Sequence, residues 1–155
     1  MKKASSGIVV AVALAAVGCG GAPGPEEFAG LYLGSGTTRY VHLSSGYVDV
    51  DPRTNWSTGL SASAAGDKIL LSGSCHLTAD VVDEHTFQVN AKECPVRVGT
   101  SCDIQDRTKT GKGTLSEDRM TLTLVFTGDS VQSKCADPDN DGIWSYTTEL
   151  KLKRQ

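Results

Sequence analysis

The chain predicts an all-β domain, an antiparallel barrel or sandwich of about seven to nine strands held by two disulfides. Three observations carry this. Apolar residues recur at every second position in several segments, nothing shows the helical period over a useful length, and polar turn sequences separate the alternating runs at hairpin spacing.

Taken in order, the first strands fall at residues 28–33 and 38–43, the second followed by residues 47–50. Between them Gly34-Ser35-Gly36 marks a bend or a close approach of strands, where a side chain would be in the way. Residues 57–66, rich in Gly, Ser and Ala, read as a loop, and residues 68–71 as a short strand. Cys75, Leu77, Ala79 and Val81 share one strand face, while Phe87, Val89 and Ala91 share a face of its hairpin partner across the turn Val82-Asp83-Glu84-His85. The clearest stripe is Met120, Leu122, Leu124 and Phe126, entered through Ser116-Glu117-Asp118-Arg119. Trp144, Tyr146, Thr148, Leu150 and Leu152 form the last, with Ser145, Thr147, Glu149 and Lys151 on the other face.

Of the five cysteines, Cys19 stands apart in the leader, and Cys75, Cys94, Cys102 and Cys135 make an even set suited to an oxidising compartment. Three connectivities are open to such a set. Cys75 and Cys94 lie at similar distances on either side of the 82–85 turn, as Cys102 and Cys135 do about the 116–119 turn. Hairpin pairing therefore favours Cys75 with Cys94 and Cys102 with Cys135.

The N-terminus opens with Lys2 and Lys3, continues through an apolar run at residues 8–17, and leaves it through Ala15, Ala16, Val17 and Gly18 before Cys19. A basic start, a short apolar core and a small-residue exit make a secretory leader, too short to span a bilayer comfortably. Small residues directly before a cysteine resemble a bacterial lipobox. That resemblance implies that residues 1–18 are a removed signal peptide and that Cys19 becomes the lipid-bearing first residue of an envelope lipoprotein. Gly20, where many inner-membrane lipoproteins have Asp, implies the outer membrane. Residues 19–27, rich in Gly and Pro, read as a tether, and residues 28–155 as a single β domain. With 18 acidic against 15 basic residues, two of the latter in the leader, the domain lacks the electrostatic footprint of a nucleic-acid binder.

Chemistry is concentrated in Asp137-Pro138-Asp139-Asn140-Asp141-Gly142. Carboxylates at alternate positions before a Gly can wrap a hard cation, and the spacing resembles the first half of an EF-hand loop. The resemblance implies a weak calcium site using Asp137, Asp139, Asp141 and the carbonyl of Ile143. Its second half departs from the pattern: the twelfth position is Thr148, and Glu149 stands roughly 20 Å along a strand from Ile143. Asp129 is the nearest substitute carboxylate. An Asx-rich solvated connection accounts for the same residues without a metal. His42, His76 and His85 lack zinc-ligand spacing and read as strand-surface or turn residues. No serine sits in a Gly-x-Ser-x-Gly elbow, so the chain reads as non-enzymatic.

Phe28-Ala29-Gly30-Leu31-Tyr32 resembles the Phe-x-Gly-x-aromatic opening of lipocalin-like barrels, and the basic end Lys151, Lys153 and Arg154 would pack across the closed end. The resemblance implies a small apolar ligand among Phe87, Leu122, Leu124 and Trp144. Read from the residues alone, the same side chains fill the core, since aromatics make up only 6% of a chain with 17 glycines. The functional expectation is a binding or interaction module displayed on the membrane. The alternatives are a lipocalin-like carrier and a purely structural envelope component, with an envelope protein, a glycan or a small apolar molecule as partner.

Overall fold

The computed structural model describes residues 22–73 and 75–155. The leader, the lipobox reading and Cys19 lie outside them. Pro25–Phe28, across the end of the stretch read as a tether, forms a 3-10 turn in which Pro25 and Phe28 are buried. Proline suits this place because its fixed φ matches the first turn and its missing N–H leaves no bond unmade.

Among the described residues ten antiparallel strands follow. β1 spans Gly30–His42, β2 Val48–Ala62, β3 Ile69–Leu71, β4 Leu77–Asp83 and β5 Thr86–Val89. The two-residue strands β6 (Lys92–Glu93) and β7 (Arg97–Val98) lead into three long ones, β8 (Asp103–Leu115), β9 (Thr121–Ser133) and β10 (Gly142–Arg154). The sheet runs β5-β4-β3-β2-β1-β10-β9-β8-β6, with β7 and β5 also pairing with β8. Residues 57–62 belong to β2 rather than to a loop, because Thr58 and Leu60 face inward and are buried. β1 runs unbroken through Gly34 and Gly36, joining the two strands expected there.

The lipocalin-like barrel implied by Phe28-x-Gly-x-Tyr32 is corrected by this topology. β5 meets β8 over only four residue pairs, Thr86 opposite Thr114 through Val89 opposite Gly111. Further along, β8 pairs with the fragments β6 and β7, while β3 covers the outer edge of β2 only at Leu60, Ser61 and Ala62. Strands of two to four residues cannot seal a seam between strands of 13 and 15. The sheet rolls on itself at one end and lies open at the other, sandwich-like rather than a barrel.

The rolled end holds the core. Phe28, Tyr32, Ile69, Phe87, Leu122 and Leu152 are fully buried there, and the Phe28 and Phe87 rings meet edge to face at 5.3 Å. Tyr32 donates its hydroxyl hydrogen to the Phe28 carbonyl at 2.9 Å. The Arg154 guanidinium lies 5.5 Å from the Tyr32 ring and donates to the carbonyls of Glu27 at 3.0 Å and Ala29 at 2.6 Å. The last strand thereby clamps the entering turn.

Gly36 is the tightest backbone contact, since a Cβ there would stand 1.9 Å from the Glu149 carbonyl of β10. That oxygen belongs to a neighbouring strand and cannot swing aside as a side-chain tip does. Gly36→Ala is expected to destabilise the domain by about 1–3 kcal/mol or more, read as a lowered denaturation midpoint. An unchanged midpoint would mean that β1 and β10 separate freely.

Both disulfides are the pairs expected from the hairpins. Cys75–Cys94 joins the approach to β4 to the end of β6, and Cys102–Cys135 ties the open ends of β8 and β9.

Candidate functional site

Inward faces at the open end do not meet across a filled interior. They enclose a cleft of about 210 Å³ directly above the apolar core. One wall comes from the long strands: Thr38 and Tyr40 of β1, Arg53 of β2, Asp106 and Thr108 of β8, and Tyr146 and Thr148 of β10. The lining is completed by Leu71, Leu77 and the Cys75–Cys94 disulfide, with the polar Ser72 and His76 between them in the chain, and by Leu124 and Phe126. Trp56 lines it too and is 37% exposed, which places its ring within reach of both cleft and solvent.

Two irregularities assemble the polar wall. Arg53 and Trp56 are three apart, so a regular strand would send them to opposite faces. The register of β2 against β1 slips between them, Arg53 lying opposite Gly36 and Trp56 opposite Gly34, with Asn55 at φ 54°. A bulge of this kind turns both side chains the same way. β8 slips likewise between Thr108 and Thr110, which lets Asp106 and Thr108 share a face with Gly111.

Hydrogen bonds preset the wall. Arg53 donates through Nε to Thr38 at 3.0 Å and through Nη2 to the Tyr40 hydroxyl at 2.8 Å, while its Nη1 lies 3.0 Å from Asp51. The Thr38 and Thr148 hydroxyls are 2.9 Å apart, and those of Thr108 and Tyr146 3.1 Å apart. Asp106 is held by Arg97 at 2.7 Å. The Tyr40 and Tyr146 rings lie 6.2 Å apart.

Burial pushes the phenols of Tyr40 and Tyr146 above the ordinary 10.0, with Arg53 drawing Tyr40 back and the Asp106 carboxylate raising both. Tyr32 is raised by burial as well, against the pull of Arg154. The native state therefore keeps these protons at a pH where the unfolded chain loses them. Their contribution is intact below about pH 10 and falls as pH climbs towards the native values. Urea midpoints are expected to drop as pH rises above about 10, and Tyr146→Phe to flatten that drop; a midpoint independent of pH there would contradict the burial of the phenols.

The residues singled out for an apolar ligand do not line a common cavity. Phe87 and Leu122 are fully buried in the core, and only Leu124 reaches the cleft. Trp144 lies elsewhere, its ring 4.7 Å from that of His42 and its Nε1 donating to the Asn140 carbonyl at 3.1 Å. His42, expected on the surface, is buried; its Nδ1 is 2.8 Å from the Ser45 hydroxyl.

The acidic loop is used locally. Asp137 accepts the N–H of Asp139 at 3.1 Å, Asp141 that of Cys135 at 2.9 Å, and the Ile143 carbonyl accepts from Leu43 at 2.9 Å. Asp139 is exposed, and Asp129 pairs with Lys109 at 2.8 Å. Among the described residues no three His, Cys, Asp or Glu side chains gather as a metal site, and no helix is long and apolar enough to cross a membrane.

Thr38, Tyr40, Arg53 and Asp106 were not marked by the sequence. The one available signal was the density of Tyr, Trp and Arg in the regions of β1 and β2. Comparison with protein-family models, with curated proteins and with solved structures finds no match for this chain.

Proposed function

We propose that this chain is an exported, non-enzymatic binding module of the cell envelope, and that its ligand seats in the cleft at the open end of the sheet. The observation that carries the proposal is the contrast between the filled core and the unfilled cleft immediately above it. Binding sites combine apolar and aromatic walls with a few oriented polar groups, and this cleft has both. The hydrogen bonds among Thr38, Arg53 and Tyr40 hold the polar groups before any ligand arrives, which lowers the ordering cost of association. The basic and apolar leader, together with the two disulfides, supports export to an oxidising compartment.

Native mass spectrometry of the protein isolated from its own envelope tests this reading. Mass that is lost on denaturation from the unmodified protein, and that is absent from Trp56→Ala, is the expected result. No released mass, together with a co-isolated protein, would favour a second reading as an interaction component. That reading rests on the exposed apolar patch of Leu43, Val48, Val50 and Ile143 on the outer face of β1, β2 and β10.

A further inference from the structure

We infer that the ligand of this cleft is a neutral saccharide, with one pyranose ring held between the hydroxyl wall and the apolar wall. The inference rests on the binding-module reading and names the ligand class of the same site.

Charge makes the first discrimination. Arg53 is answered by Asp51 at 3.0 Å, and Asp106 by Arg97 at 2.7 Å. A charged ligand entering the cleft would lose its water and find both Arg53 and Asp106 already compensated, and desolvated charge is stable only when paired. The cleft suits a neutral molecule.

Hydroxyl chemistry makes the second. Either oxygen of the Thr38 and Thr148 pair can donate, and the same holds for Thr108 and Tyr146. The Tyr40 oxygen accepts from Arg53, which leaves its own hydrogen free to donate. Asp106, with one oxygen on Arg97, retains acceptor capacity on the other. A wall that can both donate and accept at neighbouring points matches sugar hydroxyls, each of which also does both. A flat aromatic ligand with few polar edges would cover the Tyr40 hydroxyl hydrogen and the second Asp106 oxygen without pairing them, and unpaired buried polar groups are costly.

Shape makes the third. A pyranose carries hydroxyls around its rim and C–H groups on its faces, so it needs polar and apolar surfaces opposite one another. Leu71, Leu77 and the disulfide supply the apolar surface, and Trp56 a ring at the side. The volume of about 210 Å³ is below the roughly 300–1,000 Å³ usual for drug-sized ligands. One ring fits within it, and longer saccharides extend outward.

The test is a fluorescence titration of Trp144→Phe, which leaves Trp56 as the reporting tryptophan. Probes are neutral maltotriose, cellotriose, N,N′,N″-triacetylchitotriose and mannotriose, set against glucose 6-phosphate, adenosine and the uncharged apolar dye N-phenyl-1-naphthylamine. Saturable change with at least one neutral trisaccharide, and none with glucose 6-phosphate, is expected. Asp106→Asn and Tyr40→Phe should each weaken that binding about tenfold, consistent with losing one good hydrogen bond to a bound ligand. Circular dichroism verifies the fold of each variant, and Asp106→Asn alone suffices if Tyr40→Phe does not fold. Binding of adenosine or the dye, without any trisaccharide, would overturn the saccharide assignment and leave the binding module standing. Silence from every probe would overturn the saccharide assignment; the mass measurement then decides the binding module separately.

Discussion

Reduction of both disulfides is expected to remove about 7 kcal/mol of stability and to unfold the domain at physiological temperature. The bridged residues are separated by 19 and 33 positions, for which loop-closure entropy gives about 3 and about 4 kcal/mol respectively. Domains of this kind have roughly 5–15 kcal/mol in all. The short strands make the dependence stronger, because β6 and β7 are two residues each and contribute little apolar burial. The paired variants Cys75→Ala with Cys94→Ala, and Cys102→Ala with Cys135→Ala, separate the two effects by urea denaturation. Only the first pair lines the cleft, so only its loss should also weaken ligand binding. A domain that kept its midpoint after full reduction would show that the sheet alone sustains the fold.

Phe87→Ala is the single substitution expected to cost most, about 3–5 kcal/mol. The Phe87 ring is fully buried, meets Phe28 edge to face, and lies over Gly113 on the facing strand. A Cβ on Gly113 would stand 2.0 Å from the tip of that ring, so the glycine makes the room that the phenylalanine fills. Removing the ring leaves a void bounded by β5, β8 and the entering turn, and these elements cannot collapse into it without breaking the four-pair seam between β5 and β8. Loss of that seam would open the rolled end as well. The test is the denaturation midpoint of Phe87→Ala beside that of Phe87→Leu, which should recover part of the loss. Equal midpoints for Phe87→Ala and the unmodified protein would place the ring outside the core.

Where the chain follows period two, the fold was legible. Leu122 and Leu124 of β9, and Leu150 and Leu152 of β10, face inward as their alternation requires. The 82–85 and 116–119 turns join β4 to β5 and β8 to β9, with Asp83 and Asp118 accepting backbone N–H groups in the turns. Cysteine pairing followed from those hairpins. Met120 opened the expected stripe too early in the chain: it precedes β9 and is exposed. β2 was cut short because Gly59 lies in a Ser- and Gly-rich stretch, although Gly59 is where the Ser72 hydroxyl comes in to accept a backbone N–H at 2.6 Å.

The cleft was not legible, and the reason is local to the strands that form it. Its polar wall depends on the bulges in β2 and β8, which break the period that sequence reading relies on. The β2 bulge brings Trp56 to the face on which Arg53 lies beside Thr38 and Tyr40, and the β8 bulge lets Asp106 and Thr108 share a face with Gly111.

The sequence by itself determined the strand class, the inward stripes of β9 and β10, the two hairpin turns and the disulfide partners. All of these depend on residues close in the chain or mirrored about one turn. Tertiary structure alone decided that the sheet rolls at one end and stays open at the other. That outcome depends on how long β3, β5, β6 and β7 can remain paired with distant strands, and pairing length is a property of both edges at once. The open end, and with it the cleft, exists because those four strands stop before the long ones do.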